Sequence, residues 1–207
     1  TSRGVCYRWW SEEAQSRLQA QALPQIQNAD LTNLALELAK WGINQPQELT
    51  WLTPVPSGHW LQAVDLLKRL KALENTEGLK LRPLGHAMTA FSSPVRMARL
   101  ICAGIEIGAE HISTLIVALI MEGPIRQTGQ IDLMSQLELF RQNPNKYQKV
   151  IKSQSQIKQQ IKSLPQTLLK NISGDSIVSQ LTETQMIGYL LACAYPDRIA
   201  KQQSQNN

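Results

Sequence analysis

The chain lacks any run of apolar residues long enough to cross a membrane. Its longest, Ile112 to Met121, falls well short of the ~20 residues a spanning helix needs. It also lacks a G-x-x-x-x-G-K-[ST] phosphate loop and a G-x-G-x-x-G turn, so neither common nucleotide cradle is present. Of the three histidines, His59, His86 and His111, none has a metal-ligand spacing to a Cys, Asp, Glu or second His on one helix face. His86 near a helix start and His111 beside the apolar run read as core-edge or surface histidines. Glu106 and Glu110 are four apart and read as one helix face, but no base, nucleophile or metal ligand converges on them. The three cysteines, Cys6, Cys102 and Cys193, are far apart in apolar contexts and form no C-x-x-C, which reads as reduced thiols of a cytoplasmic protein. These absences exclude a membrane span, a metal site and autonomous catalysis; no catalytic residue is expected.

Acid is scarce in one place above all. From Leu139 to Gly174 there is no Asp or Glu, while Arg141, Lys146, Lys149, Lys152, Lys158, Lys162 and Lys170 all fall there. Gln142, Asn143, Asn145, Gln148, Gln154, Gln156, Gln159 and Gln160 lie between them. Lysine neutralises phosphate as a point charge, and amides hydrogen-bond phosphate, sugar or base edges. Val150, Ile157, Ile161 and Leu164 repeat at helical spacing and form a narrow buried seam. The lysines are expected as a stripe opposite that seam, with Tyr147 as a single stacking ring. A solvated, cation-bearing helix face is the other reading. The whole chain carries a net charge of +5 over 207 residues, a modest lean towards an anionic partner.

Taken in order, the sequence predicts a mainly α fold with few short strands. Val5 to Trp10 reads as a strand by its β-branched and aromatic content. It has either the segment 79–82 as partner or a sheet left behind in a longer protein. The start without Met, straight into this strand, suggests a fragment; a cloning boundary explains it equally. Ser11-Glu12-Glu13 caps a helix to about Ala20. Asp30 caps the next, with Leu31, Leu34, Leu38 and Trp41 on one face and Gly42 as its stop. A helix from about Ser57 to Leu73 buries Trp60, Val64, Leu67 and Leu70. The wing-like turn Glu74 to Gly78, the strand Leu79 to Arg82 and the helix from Pro83 to Phe91 follow. From Pro94 onward the chain reads as helices, with Met97, Ile101 and Ile105 inward and Gly104 and Gly108 allowing close backbone approach. Ile112 to Met121 reads as a central helix surrounded on all sides. A polar turn at 127–130, a helix capped by Asp132, a break at Pro165, a last helix capped by Thr182 and a disordered tail complete the pattern. There is no internal repeat.

A second basic group, Lys68, Arg69, Lys71, Lys80 and Arg82, surrounds the third helix and wing, diluted by Asp65, Glu74 and Glu77. In a DNA-reading winged helix that helix enters the major groove. Arg96 and Arg99 form a third group, which meets phosphate or pairs with Glu106 or Glu110.

Several motifs resemble the DEAH-type helicases. The run Gly4 to Ser11, reading GVCYRWWS, is similar to the strand after their last helicase motif. Asp30-Leu31 through Trp41-Gly42-Ile43 resembles the first helix of their winged-helix domain, and Trp51 to Pro56, reading WLTPVP, the link that follows. Leu81 to Ala90 (LRPLGHAMTA), Pro94 to Leu100 (PVRMARL) and Leu191 to Ala200 (LACAYPDRIA) resemble later family motifs. Trp41-Gly42 and the Asp197-Arg198-Ile199-Ala200 close point to the HrpB-type branch. The order and spacing of these motifs cover nearly the whole chain. Arg3-Gly4 departs from the family's Pro-Gly, Arg82 stands where the family has threonine, and Gly123 to Asp175 matches poorly.

The resemblance implies a winged-helix unit followed by a helical bundle of the ratchet type. Residues 1–20 would close the second RecA-like domain and connect onward, 21–93 form the winged helix, 94–200 the bundle and 201–207 the tail. ATP and Mg²⁺ would belong to motor domains outside this chain, which alone should neither bind nor hydrolyse ATP. The implied role is an accessory region that braces its own motor domains and contacts single-stranded RNA or DNA. Charge nominates Arg141, Lys146, Lys149, Lys152, Lys158 and Lys162 for that contact, with Lys68, Arg69, Lys71, Arg82, Arg96 and Arg99 second. The rival reading is a stand-alone winged-helix DNA-binding regulator with a helical dimerisation arm, reading duplex through Lys68, Arg69 and Lys71. A scaffold without nucleic-acid contact is the third.

Overall fold

The computed structural model describes residues 2–18, 21–123, 132–174 and 180–200. Its helices are α1 (Glu12–Ser16), α2 (Thr32–Lys40), α3 (Ser57–Arg69), α4 (Pro83–Met88), α5 (Val95–Ile107), α6 (Glu110–Glu122), α7 (Leu133–Gln142), α8 (Gln148–Ser163), α9 (Gln166–Ile172) and α10 (Glu183–Ala194). The fold is mainly α, as the sequence implies. The expected polar turn at 127–130 and the tail lie outside the described residues.

Local chemistry sets most helix ends. Ser11, Asp132 and Thr182 each accept a backbone N–H in the first turn of α1, α7 and α10, and Thr182 forms a reciprocal capping box with Gln185. Asp30 Oδ1 takes the Thr32 N–H at 2.8 Å, just ahead of α2. Gly42 at φ 80° and Gly108 at φ 77° occupy the left-handed region where a side chain would be strained. Gly108 therefore ends α5. Gly104 admits a close approach: a Cβ there would collide with the Ser113 side chain of α6. Pro165 separates α8 from α9 because proline cannot continue the ladder.

Strand structure is sparser than expected. Among the described residues there is one isolated antiparallel bridge, Leu73 to Leu81, where a strand over 79–82 was expected. It is closed by Glu74 N–H to Lys80 O and Arg82 N–H to Ala72 O, both 2.9 Å. Val5 to Trp10 forms no strand. A lone segment has no ladder to satisfy its backbone, and it leaves Val5, Tyr7 and Trp9 exposed, Trp9 at 94%. α1 stops at Ser16, short of Ala20, and buries no residue.

One apolar core runs from Leu31 to Ala194 and leaves out α1 and the residues before it. α5 is its axis, packing on α2, α4, α6, α9 and α10. α6 is buried from Ile112 to Leu119, but Ile120 and Met121 emerge into solvent, against the expectation of complete enclosure. Trp41, expected on the inward face of α2, is 70% exposed, while Ala35, Leu36, Leu38 and Ala39 are buried. α2 joins α5 directly: Asn33 Oδ1 accepts the Val95 N–H at 2.9 Å and caps a helix whose own Pro94 provides no side-chain cap.

Gly85 locks α4 against the bridge. A Cβ there would collide with the Ala72 carbonyl and the Leu81 side chain. Alanine is the better helix former by ~1 kcal/mol, yet Gly85→Ala is expected to lower stability by about 1–3 kcal/mol. Urea unfolding of the variant checks the sign.

Candidate nucleic-acid interface

The acid-free stretch lies on α7, the following turn, α8 and α9. Val150, Gln154, Ile157 and Ile161 are the buried positions of α8, and Leu164 closes the seam just beyond it. This face packs on α6. Gln154 belongs to the seam and not to the solvent side: its Nε2 donates to His111 O at 3.2 Å and to Thr114 Oγ1 at 3.3 Å. Thr114 in turn donates to Glu110 O at 2.8 Å. A buried amide with satisfied partners fixes the register of α8 on α6, because an unsatisfied one is costly. It therefore leaves the set of amides available to a ligand.

The rest of α8 faces outward. Lys149, Lys152 and Lys162 are exposed and Lys158 is half-buried, with Lys146 exposed in the preceding turn. None of these five makes an ion pair among the described residues. At ~100° per residue they do not form one straight line. Lys158 and Lys162 lie on one flank of the seam, Lys149 on the other, and Lys152 near the crest opposite it. Tyr147 is half-buried beside Phe140, with ring centroids 6.2 Å apart, so its ring serves the core more than a stacking platform.

The arginines are used differently. Arg141 holds Glu183 through both guanidinium nitrogens, one at 3.0 Å, and ties α7 to the start of α10. That hydrogen bond keeps the Glu183 carboxyl below the usual carboxylate range. Arg96 holds Asp197 at 2.6 and 2.9 Å, donates to Ala194 O at 3.0 Å and lies 4.9 Å above the Tyr195 ring. The pair anchors the turn after α10 to the start of α5, and it holds the Asp197 carboxyl below its ordinary value. Arg99 is 4% exposed and reaches Glu106 at 3.3 Å, one of the two pairings the sequence suggested. Glu106 and Glu110 do not share a helix face, because Gly108 ends α5 between them.

Around the bridge, Arg69 pairs with Asp65 at 2.7 Å and Lys80 with Glu74 at 3.1 Å, while Lys68 donates to Thr76 O at 3.3 Å. Lys71 and Arg82 are exposed and without an ion pair among the described residues. The duplex-reading alternative thus has two of its three cations occupied within the chain. Burial pushes the Cys102 thiol up to about 12, which leaves it no thiolate chemistry at neutral pH. Among the described residues no three His, Cys, Asp or Glu side chains gather as a metal site. None of the described helices is long and apolar enough to cross a membrane.

No family model matches the sequence. Individual relatives do. The ATP-dependent RNA helicase HrpB of Escherichia coli K12 is 30% identical over 203 residues, 98% of this chain and 22% of the relative. The splicing-factor ATP-dependent RNA helicase prp22 of Schizosaccharomyces pombe is 30% identical over 121 residues, 58% of this chain and 10% of that protein. The crystal structure of the Escherichia coli DEAH/RHA helicase HrpB superposes with TM-score 0.67 at 28% identity, over 94% of this chain and 22% of that one. A second HrpB structure, described as a DExH-box NTPase, gives TM-score 0.63 at 30% identity, covering 94% of this chain and 21% of that one. The chain is therefore homologous to a segment of ATP-dependent helicases of the DEAH class. Within that class it is a homologue, along nearly its whole length, of a segment of HrpB, and it spans about a fifth of the HrpB chain.

The Arg96–Asp197 pair carries a pH signature. A depressed folded carboxyl contributes stability that is complete above the unfolded value of ~3.9 and is lost as pH falls through the folded value. Asp197→Asn is expected to cost about 1 kcal/mol at pH 7. Thermal unfolding of both proteins from pH 7 to pH 3 should show the difference shrinking below about pH 4.

Proposed function

We propose that this chain is the winged-helix and helical-bundle region of an HrpB-like, DEAH-type ATP-dependent helicase of the cytoplasm. Residues 21–93 make the winged-helix unit and 94–200 the ratchet-like bundle, with 1–20 leading from the second motor domain. ATP and Mg²⁺ act on the motor domains; this region braces them and holds one single strand of RNA or DNA. The wing half positions the bundle, and the bundle makes the contact through Lys146, Lys149, Lys152, Lys158 and Lys162. Arg141 is held by Glu183 and supports α7 beside them.

The observation that carries this reading is the disposition of charge on α8. Five lysines stand on an acid-free segment with no carboxylate partner among the described residues, while Arg96, Arg99 and Arg141 are all consumed by internal pairs. A merely solvated face usually mixes signs. Unneutralised lysines without stacking aromatics suit a polyanion backbone read without regard to sequence.

Anisotropy titrations of the chain against single-stranded and duplex oligonucleotides test this. Binding should favour single strands, ignore sequence and weaken steeply with salt, with a log–log slope of about −3.5 if all five lysines meet phosphate. Reversing the five to glutamate should weaken binding by at least about tenfold at 0.1 M salt. No measurable binding would leave a scaffold without nucleic-acid contact, affinity unchanged by the reversal would move the contact off these lysines, and preference for a duplex sequence would favour a regulator.

A further inference from the structure

The lysines of α8 are distributed in a way that specifies the path of a strand, given the single-strand reading above. Angles around the helix follow from ~100° per residue and positions along it from ~1.5 Å per residue. With the buried seam of Val150, Gln154, Ile157 and Ile161 as origin, Lys149 lies ~110° to one side and Lys152 near ~180°. Lys162 lies ~110° to the other side, and Lys158 ~70° on that same side. The half-burial of Lys158 agrees with its place at the edge of the seam. Along the axis, Lys149 and Lys152 belong to the first turn or two, and Lys158 and Lys162 to the last. From Lys149 to Lys162 the axial rise is ~20 Å. Moving up the helix, positive charge thus passes from one flank, over the crest, to the opposite flank.

The middle of this diagonal is neutral but polar. Gln156 and Gln159 are exposed there and offer amide donors and acceptors. Gln154, which is buried on α6, takes no part. Tyr147 is packed beside Phe140 and is not positioned as a base platform. Lys146 precedes the helix at the end where Lys149 and Lys152 stand.

We propose that one strand crosses α8 obliquely. It is gripped by its phosphates at Lys146, Lys149 and Lys152, passes the neutral Gln156 and Gln159, and is gripped again at Lys158 and Lys162. The binding unit is then a strand long enough to span both grips, held by its backbone with no stacked base. A strand too short to span engages one grip only.

The experiment is a length series on the 207-residue chain, using oligo-dT and oligo-rU of 3, 6, 9 and 12 nucleotides at several salt concentrations. A trinucleotide carries two internucleotide phosphates, so its log–log salt slope should not exceed about −1.4 in size. Strands that span both grips should reach about −3.5. Neutralising the first grip (Lys146→Gln, Lys149→Gln, Lys152→Gln) should reduce the long-strand slope to about −1.4, and neutralising the second (Lys158→Gln, Lys162→Gln) to about −2.1. Either variant should abolish the advantage of strands that span both grips over strands just long enough to fill the grip that remains. Two outcomes overturn the path but not the wider reading. In one, the lysines govern binding but the slope does not grow with length. In the other, two short strands bind per chain with the full combined salt dependence, which would place separate strands on the two flanks. Absence of lysine-dependent binding at every length would sink the wider reading along with the path.

Discussion

The close approach of α5 and α6 at Gly104 is the contact on which the rest of the structure depends. The missing side chain at Gly104 is filled by Ser113, so two helices meet with almost no space between them. Around that contact Leu100, Ile101, Cys102 and Ala103 from one helix, and Leu115, Ile116, Val117 and Ala118 from the other, are all but fully buried. Close packing of this kind stabilises mainly through the apolar area removed from water. It also leaves both helices with further apolar faces. α10 and α9 cover those of α5, and α8 covers α6. The front half is fastened to the same axis, because α2 both packs on α5 and caps its first turn through Asn33.

Charge is sorted by chemistry on this frame. Arginine, with its planar fork and weak hydration, suits buried or bidentate pairs. Arg96 and Arg141 fill that role across the chain, on Asp197 and Glu183, and Arg99 fills it within α5, on Glu106. Lysine, as a strongly hydrated point charge, is left on α8 without an ion pair among the described residues. The single polar residue in the α8 seam, Gln154, fixes how that helix is rotated on α6 and therefore which way its lysines face.

Much of this was legible in the residues. The stops at Gly42 and Pro165 and the caps at Asp132 and Thr182 follow from local chemistry that tertiary context did not override. The seam of Val150, Ile157, Ile161 and Leu164 was readable because a single apolar stripe determines burial on one helix. The strand at Val5 to Trp10 was misread because composition signals β-preference without supplying a partner. Trp41 was misplaced because spacing gives the face of a helix but not where its neighbours end. Gln154 was grouped with the solvent-facing amides because nothing in the sequence marks a partner 40 residues away. The destinations of Arg96 and Arg141 were hidden for the same reason, since Asp197 and Glu183 are 101 and 42 residues distant.

The central claim is that α8 touches the nucleic acid while the wing half carries it into place. Amine-reactive labelling of the 207-residue chain, read by mass spectrometry with and without a saturating single strand, tests this most directly. The account predicts that Lys149, Lys152, Lys158 and Lys162 become protected while Lys71 and Lys80 label as before. Protection of Lys71 and Lys80 with unchanged labelling along α8 would contradict it.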